Sequence, residues 1–156
     1  MSKKTKIIIG ILSVVLIVLL ILLICILSGR FVIIKGKSMY PTYKNGQVLH
    51  IDVKYDKIGV GDVVVFKLPD NDEKLIKRVV AVEGDSVVCK ETKLYVNGKE
   101  IAPVYFDESL ESYPVYNFEV IVSKDCIFCL SDNYLVGIDS RQFGEVPIDC
   151  IIGKVG

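Results

Sequence analysis

An apolar run near the amino terminus constrains this chain more than any other feature. Of the 21 residues in 7–27, 19 are apolar. As an α-helix this run would be roughly 31 Å long, because a helix rises about 1.5 Å per residue, and that length matches the hydrocarbon thickness of a bilayer. The pattern therefore predicts a transmembrane anchor over 7–27, between a short segment 1–6 and a second part, 28–156.

A cleavable signal peptide is the alternative interpretation of this run. Its apolar region would be about 7 to 15 residues long and would end in small residues at a cleavage site. Here the run is longer, and Arg30 and Phe31 soon follow it, so a retained anchor is favoured. Flanking charge does not orient the anchor, because both sides carry three basic residues: Lys3, Lys4 and Lys6 before it, and Arg30, Lys35 and Lys37 after it.

Charge and composition separate the anchor from the rest of the chain. The first 30 residues carry a net charge of +4, and the remainder has 15 basic against 19 acidic residues. A slightly acidic domain without tryptophan or a basic cluster lacks the electrostatic footprint of a phosphate-binding surface. Nucleic-acid binding is therefore not expected.

The part after the anchor is predicted to be mostly β. Valine and isoleucine supply 32 of residues 29–156 and alanine only 2, a balance that favours pleated, half-buried surfaces. Asn97-Gly98 predicts a two-residue hairpin turn, and 102–114 is expected to be an exposed excursion. The predicted strands are 31–34, 47–53, 62–67, 75–82, 86–89, 93–96, 115–122, 126–130 and 146–155.

The single histidine leaves few bases for catalysis. His50 alternates with other residues along a predicted strand and fits a surface or core position better than a catalytic one. A neutral lysine is the main alternative base for a serine nucleophile, and burial would lower its pKa into a useful range. Alternation in 75–82 places Lys77 on one face with Leu75, Val79 and Ala81. An edge strand protected from aggregation by its lysine gives the same pattern.

Ser38 is the candidate nucleophile. It lies between a predicted strand and Pro41, a position that leaves neighbouring backbone N–H groups free to stabilise an oxyanion. Ordinary turn chemistry also places serine beside glycine and proline.

Together these segments resemble the type I signal peptidases, membrane-anchored serine/lysine proteases that remove signal peptides from exported proteins. The resemblance is carried in order by G-K-S-M-Y-P-T at 36–42, G-D-V-V-V-F at 61–66, K-R-V-V-A-V-E-G-D at 77–85, and S-D-N and D-S-R-Q-F-G within 131–144. The single anchor and compact domain are similar to the shorter Gram-positive members.

The resemblance implies a signal-peptidase-like β domain with Ser38 as nucleophile and Lys77 as general base. It further implies structural ion pairs between Arg78 and Asp132 and between Asp139 and Arg141. Backbone N–H groups of Ser38 and Gly36 would stabilise the oxyanion. Shallow pockets near Ile34, Met39 and Leu75 would accept small side chains of an extended substrate.

The sequence departs from the family pattern in two places. The family's Gly-Asp-Asn-Arg appears here as Ser131-Asp132-Asn133-Tyr134, and Gly137 stands where many members carry a serine that orients the lysine. Lys77 must then be held in another way. The alternatives are a hydroxyl from elsewhere, such as that of Ser131, a backbone carbonyl, a water molecule, or packing alone.

The cysteines and tyrosines are expected to have structural roles. Cys126 and Cys129 are three residues apart and would point to opposite faces of a strand, so neither zinc nor a disulfide is expected there. No cofactor is expected, and the eight tyrosines favour packing over a stacking platform.

The sequence thus predicts a signal peptidase in the cell membrane, acting on preprotein signal peptides, with a cytoplasmic amino terminus 1–6 and an extracytoplasmic catalytic domain 28–156. A self-cleaving serine/lysine domain of the repressor type is less compatible with the anchor. A catalytically weak paralogue that binds exported subunits such as pilins is the alternative, suggested by Gly137 and Tyr134.

Overall fold

The computed structural model describes residues 2–27, 30–69, 72–106 and 114–156. Most of the predicted excursion at 102–114 lies outside the described residues. The amino-terminal run forms helix α1, Lys3–Leu27. An 18-residue window within Lys3–Ile26 has a mean hydropathy of 3.7 and none of it is buried, so the helix is long and apolar enough to cross a membrane.

Most of the remaining elements are strands of two antiparallel sheets. The larger sheet has seven strands in the order β1-β2-β11-β3-β4-β9-β10. Their bounds are Phe31–Ile33 (β1), Val48–Asp52 (β2), Val63–Phe66 (β3), Leu75–Val82 (β4), Cys126–Leu130 (β9), Val146–Pro147 (β10) and Ile151–Val155 (β11). Lys77 lies on β4 of this sheet, and Ser38 lies in the loop between β1 and β2.

The smaller sheet has four strands in the order β7-β6-β5-β8. Its strands are Ser86–Glu91 (β5), Lys93–Val96 (β6), Lys99–Ile101 (β7) and Tyr116–Ile121 (β8). The predicted Asn97-Gly98 turn joins β6 to β7, with Val96 opposite Lys99. Both turn residues have positive φ, 51° and 76°, which a two-residue turn between twisted strands requires.

Apolar packing explains the order of the central strands. All four residues of β3 are buried. The strand lies between two neighbours in the sheet, and other side chains pack against both of its faces. Full burial of one such side chain stabilises the fold by about 1.5 to 3 kcal/mol. The resulting core fixes β4, the next strand in the sheet, and with it Lys77.

A register shift in β4 corrects one prediction. The ladder between β4 and β9 is irregular between Val79 and Ala81. As a result Val79 packs into the same core cluster as Phe66, whereas Ala81 packs into a different one with Phe128. Alternation from Lys77 therefore holds as far as Val79 and then ends, because a bulge changes the face that later residues occupy.

The predicted single strand over 146–155 is wrong. Val146–Pro147 pairs with β9, and a 3-10 turn over Ile148–Cys150 follows. Ile151–Val155 then pairs with β2 and β3 on the other side of β4. Pro147 has no N–H with which to continue a ladder, and the chain crosses the sheet at that point.

A short helix, α2, Ser140–Phe143, was not predicted as an element. Its N-cap is Asp139, whose side chain accepts a hydrogen bond from Arg141 N–H, and the Gln142 side chain accepts one from Asp139 N–H. An acidic or hydroxyl residue followed three positions later by Gln or Glu is the sequence signal of such a capping box. The sequence D-S-R-Q therefore contained the information that was missed.

Candidate active site

Ser38 lies in the loop between β1 and β2. Met39 beside it is 1% exposed and anchors the loop in the protein interior. The segment that follows β9 holds the same loop at two points: Asn133 N–H donates to Ser38 O at 2.9 Å, and Thr42 Oγ1 donates to Asp132 Oδ2. The half-buried hydroxyl of Ser38 is thus attached to a fixed backbone.

Lys77 reaches this hydroxyl from β4. Its side chain is only 3% exposed, and Nζ lies 3.2 Å from Ser38 Oγ. Burial lowers the pKa of the Lys77 amine from its ordinary value of 10.5, against an opposing effect of the Asp139 carboxylate. A neutral amine at this distance can accept the proton of the serine hydroxyl.

The next residue of β4 forms the first of two buried ion pairs. Arg78 donates to both carboxylate oxygens of Asp132, from Nε and Nη2, each at 2.7 Å. Asp132 is 1% exposed. Arg78 Nη1 also donates to Gly61 O at 2.8 Å. The hydrogen bond to Asp132 raises the pKa of Arg78, and this pair joins β4 to the segment that holds Ser38.

The second ion pair lies at the start of α2. Arg141 donates to Asp139 Oδ1 from Nε and to Oδ2 from Nη2, both at 2.8 Å. Asp139 Oδ2 also accepts the backbone N–H of Ser131 at 3.0 Å. The guanidinium of Arg141 lies 3.9 Å from the ring centroid of Tyr134. Tyr134, one of the two departures from the family pattern, therefore supports this ion pair by packing against its cation.

The two predicted oxyanion donors differ. Among the described residues, the N–H of Ser38 donates to no acceptor. The N–H of Gly36 donates to Asn45 Oδ1 at 2.8 Å, so it is already engaged within its own loop. Of the two donors, Ser38 N–H is the one available to a ligand in this structure.

A groove of about 650 Å³ runs beside the Ser38–Lys77 pair. Its lining includes all three predicted substrate-contacting residues: Ile34, Met39 and Leu75. Ile34 and Met39 are buried and Leu75 is half-buried, so this part of the wall is apolar. The pairing of β4 with β9 begins at Arg78. Leu75 and Ile76, at the start of β4, are not paired with β9 and line the groove.

Gly137, the other departure, sits directly against Ser38. An added Cβ at this position would lie 2.7 Å from Ser38 Cβ and 3.1 Å from Ser131 Oγ, and Gly137 has a φ of +105°. The first distance is shorter than side chains tolerate, and the backbone conformation favours glycine. Position 137 therefore has no room for a lysine-orienting serine.

The remaining candidates lie elsewhere or do not converge. His50 is on β2, where its exposed ring contacts that of Phe31 with centroids 5.4 Å apart. In the described part of the chain, no three His, Cys, Asp or Glu side chains come together as a metal site. Spacing alone could not show the contacts of Thr42 and Asn45, because they depend on how loops meet in the folded protein.

The chain matches the family model described as signal peptidase, peptidase S26, over residues 7–156. It is 36% identical to signal peptidase IB of Staphylococcus aureus (strain COL), over 81% of this chain and 78% of that protein. Identity to signal peptidase I of Bacillus caldolyticus is also 36%, over 79% of this chain and 75% of the relative.

A crystal structure of a signal peptidase I from Enterococcus faecalis V583 has the same fold. It aligns with a TM-score of 0.52 at 22% identity, covering 64% of this chain and 97% of that one. The mostly β fold predicted from the sequence is thereby confirmed. The chain belongs to the signal peptidase family, peptidase S26, and the resemblance drawn from its motifs is correct.

Proposed function

We propose that this protein is a membrane-anchored serine endopeptidase that removes signal peptides from exported preproteins, with Ser38 as nucleophile and Lys77 as general base. The observation that carries the proposal is the 3.2 Å separation between Ser38 Oγ and the Nζ of a lysine that is 3% exposed. Family membership supports the same reaction class.

The proposed reaction uses the neutral form of Lys77. As Ser38 Oγ attacks the scissile carbonyl carbon, its proton passes to Lys77 Nζ. The developing oxyanion accepts a hydrogen bond from Ser38 N–H. Lys77 then returns the proton to the leaving amine, which gives an acyl-enzyme on Ser38. Water, deprotonated by the same amine, hydrolyses that ester and restores the hydroxyl.

The groove suits an extended peptide with small side chains near the cleaved bond. An extended substrate could lie between the end of β1 and Leu75-Ile76, with main-chain hydrogen bonds supplying affinity. The buried side chains of Ile34 and Met39 belong to the lining of this groove. We propose that the groove has shallow pockets at these residues, which accept alanine-like side chains and reject larger ones by steric conflict.

The reaction also sets the proposed topology. A signal sequence is cleaved after it has crossed the membrane, so the amino terminus 1–6 would be cytoplasmic and the domain 28–156 extracytoplasmic, with 7–27 as the anchor. Protease added to intact spheroplasts should then digest the domain. Digestion only after lysis would contradict this orientation.

The function is tested by turnover of a preprotein embedded in lipid vesicles with the full-length chain. Ser38→Ala should abolish cleavage while the thermal unfolding midpoint stays close to that of the wild type, because only the attacking oxygen is removed. Ser123→Ala, at an exposed serine, is the matched control and should cleave normally. Wild-type cleavage by Ser38→Ala would refute the proposal.

A further inference from the structure

Unpaired polar atoms cluster in one segment of the site. In the described part of the chain, three buried side-chain atoms have no hydrogen-bond partner: Ser131 Oγ, Asn133 Oδ1 and Tyr134 OH. A buried polar group without a partner costs about 1 to 3 kcal/mol. Ser131 Oγ lies beside Ser38, because a Cβ added at Gly137 would be 3.1 Å from Ser131 Oγ and 2.7 Å from Ser38 Cβ.

The β-sheet register places Ser131 across from Lys77. Arg78 lies opposite Leu130 and Val79 opposite Cys129 in the antiparallel ladder of β4 and β9. The ladder ends at the pair of Arg78 and Leu130, and one further residue in the same register would bring Ser131 opposite Lys77. Directly opposed residues of an antiparallel pair project from the same face, with Cβ atoms about 4.5 to 5.5 Å apart. The unpaired hydroxyl is therefore on the side of the sheet that carries the amine.

The backbone of Ser131 is held rigidly. Its N–H donates to Asp139 Oδ2 at 3.0 Å, and Asp139 is fully buried and fixed by Arg141. Gly137 cannot supply a competing side chain, since even a Cβ there would collide with Ser38. The hydroxyl of Ser131 occupies the space that a side chain at 137 would need.

A neutral lysine acting as a base needs an acceptor for its own N–H bonds. Its lone pair must face Ser38 Oγ, so at least one N–H has to point elsewhere, although Lys77 is only 3% exposed. We propose that Ser131 Oγ accepts that N–H and is the positioning residue that orients Lys77 toward Ser38. This inference rests on the proposed serine/lysine mechanism.

The test is the pH dependence of kcat and KM for preprotein cleavage by the full-length protein in vesicles. Ser131→Ala should lower kcat about 10- to 100-fold with little change in KM. The acidic limb of the pH profile should move to lower pH, because the ammonium form loses an acceptor. Ser131→Thr keeps the hydroxyl and should stay within a few-fold of the wild type.

Two further variants separate orientation from structural damage. Valine has the shape of threonine without the hydroxyl, so Ser131→Val should show the same loss of kcat and the same pH shift as Ser131→Ala. If Ser131→Ala does not fold, the comparison of Ser131→Val with Ser131→Thr tests the role of the hydroxyl. Tyr134→Phe removes another unpaired buried hydroxyl of the same segment and should leave the pH limb in place.

Equal kcat and an unmoved pH limb in Ser131→Ala, or equal activity of the folded Thr and Val variants, would overturn the role of Ser131 while leaving the proposed function intact. Lack of cleavage by the wild type, or full cleavage by Ser38→Ala, would instead refute the proposed function itself.

Discussion

The two sheets of this protein bury different kinds of side chains. Of the described residues, the buried polar and charged ones lie on the seven-stranded sheet or between β9 and the end of α2: Lys77, Ser131, Asp132, Asn133, Asp139, Ser140 and Arg141. The four-stranded sheet buries apolar residues such as Val87 and Leu94. Burial of charge costs several kcal/mol per ion unless it is well paired.

The larger sheet buries charged groups at a cost in stability, and these groups surround the proposed Ser38–Lys77 pair. The smaller sheet behaves as an ordinary apolar layer, and its ion pair, Lys93 with Glu100, is solvent-exposed. The larger sheet keeps a lysine in its interior beside a serine and holds the surrounding loops with two buried ion pairs. Matched substitutions in the two regions should therefore have very different effects.

The largest contrast is expected between two lysine substitutions. Lys77→Met should reduce preprotein turnover about 10²- to 10⁴-fold, the usual contribution of a general base. Lys93→Met, at an exposed lysine of the smaller sheet, should leave turnover unchanged. Comparable losses in both variants would show that Lys77 has no special role.

Lys77→Met should also raise the thermal unfolding midpoint at neutral pH. Burial lowers the pKa of Lys77 in the folded state, so the unfolded state binds more protons between the lowered pKa and about 10.5, and stability rises with pH in that window. The stabilising effect of the substitution should be full below the lowered pKa and disappear as pH approaches 10.5. Melting curves across this range measure it.

The buried ion pair should be worth more than the exposed one. Asp132→Ala leaves Arg78 without its bidentate partner and should lower the free energy of unfolding by about 2 to 3 kcal/mol, somewhat below the range for a fully buried pair because Arg78 is partly exposed. Glu100→Ala should cost about 0 to 1 kcal/mol. Chemical denaturation would measure both, and similar values would contradict the comparison.

Two glycines with positive φ give a further contrast. Gly98→Ala, in the hairpin of the smaller sheet, meets no atom within 4 Å and should cost about 1 kcal/mol for its backbone conformation alone. Gly137→Ala adds the collision with Ser38 and should cost about 2 to 4 kcal/mol. It should also lower turnover, since the nucleophile must shift. Normal turnover in Gly137→Ala would show that the site tolerates a side chain there.

The sequence predicted the elements that depend on local pattern. The bounds of β4 agree with the prediction at both ends, because six of the eight residues in Leu75–Val82 are apolar and a turn at Glu83-Gly84 follows the strand. The Asn97-Gly98 turn was equally clear. The motifs also placed Ser38 and Lys77 in one site, although they lie 39 residues apart.

Features set by tertiary contact could not be predicted in this way. The crossing after Pro147 depends on which strands remain unpaired in the sheet, and the hydrogen bond from Thr42 to Asp132 joins residues 90 positions apart. The collision that excludes a side chain at Gly137 appears only when Ser38 and Ser131 are in place. The sequence shows Tyr134 only as a departure from the family motif, whereas the structure shows its ring packed against the guanidinium of Arg141.

The proposed reaction requires that Lys77 be the base for Ser38 and that its amine be neutral when it accepts the proton. The most direct test is titration of the Lys77 amine by NMR in the full-length protein with ¹⁵N-labelled lysine, assigned with Lys77→Met, beside the pH profile of kcat/KM for preprotein cleavage. We expect the pKa of Lys77 to lie below the ordinary 10.5 and to coincide with the midpoint of the rising limb of activity. Titration at or above 10.5, or a limb that does not follow Lys77, would contradict it.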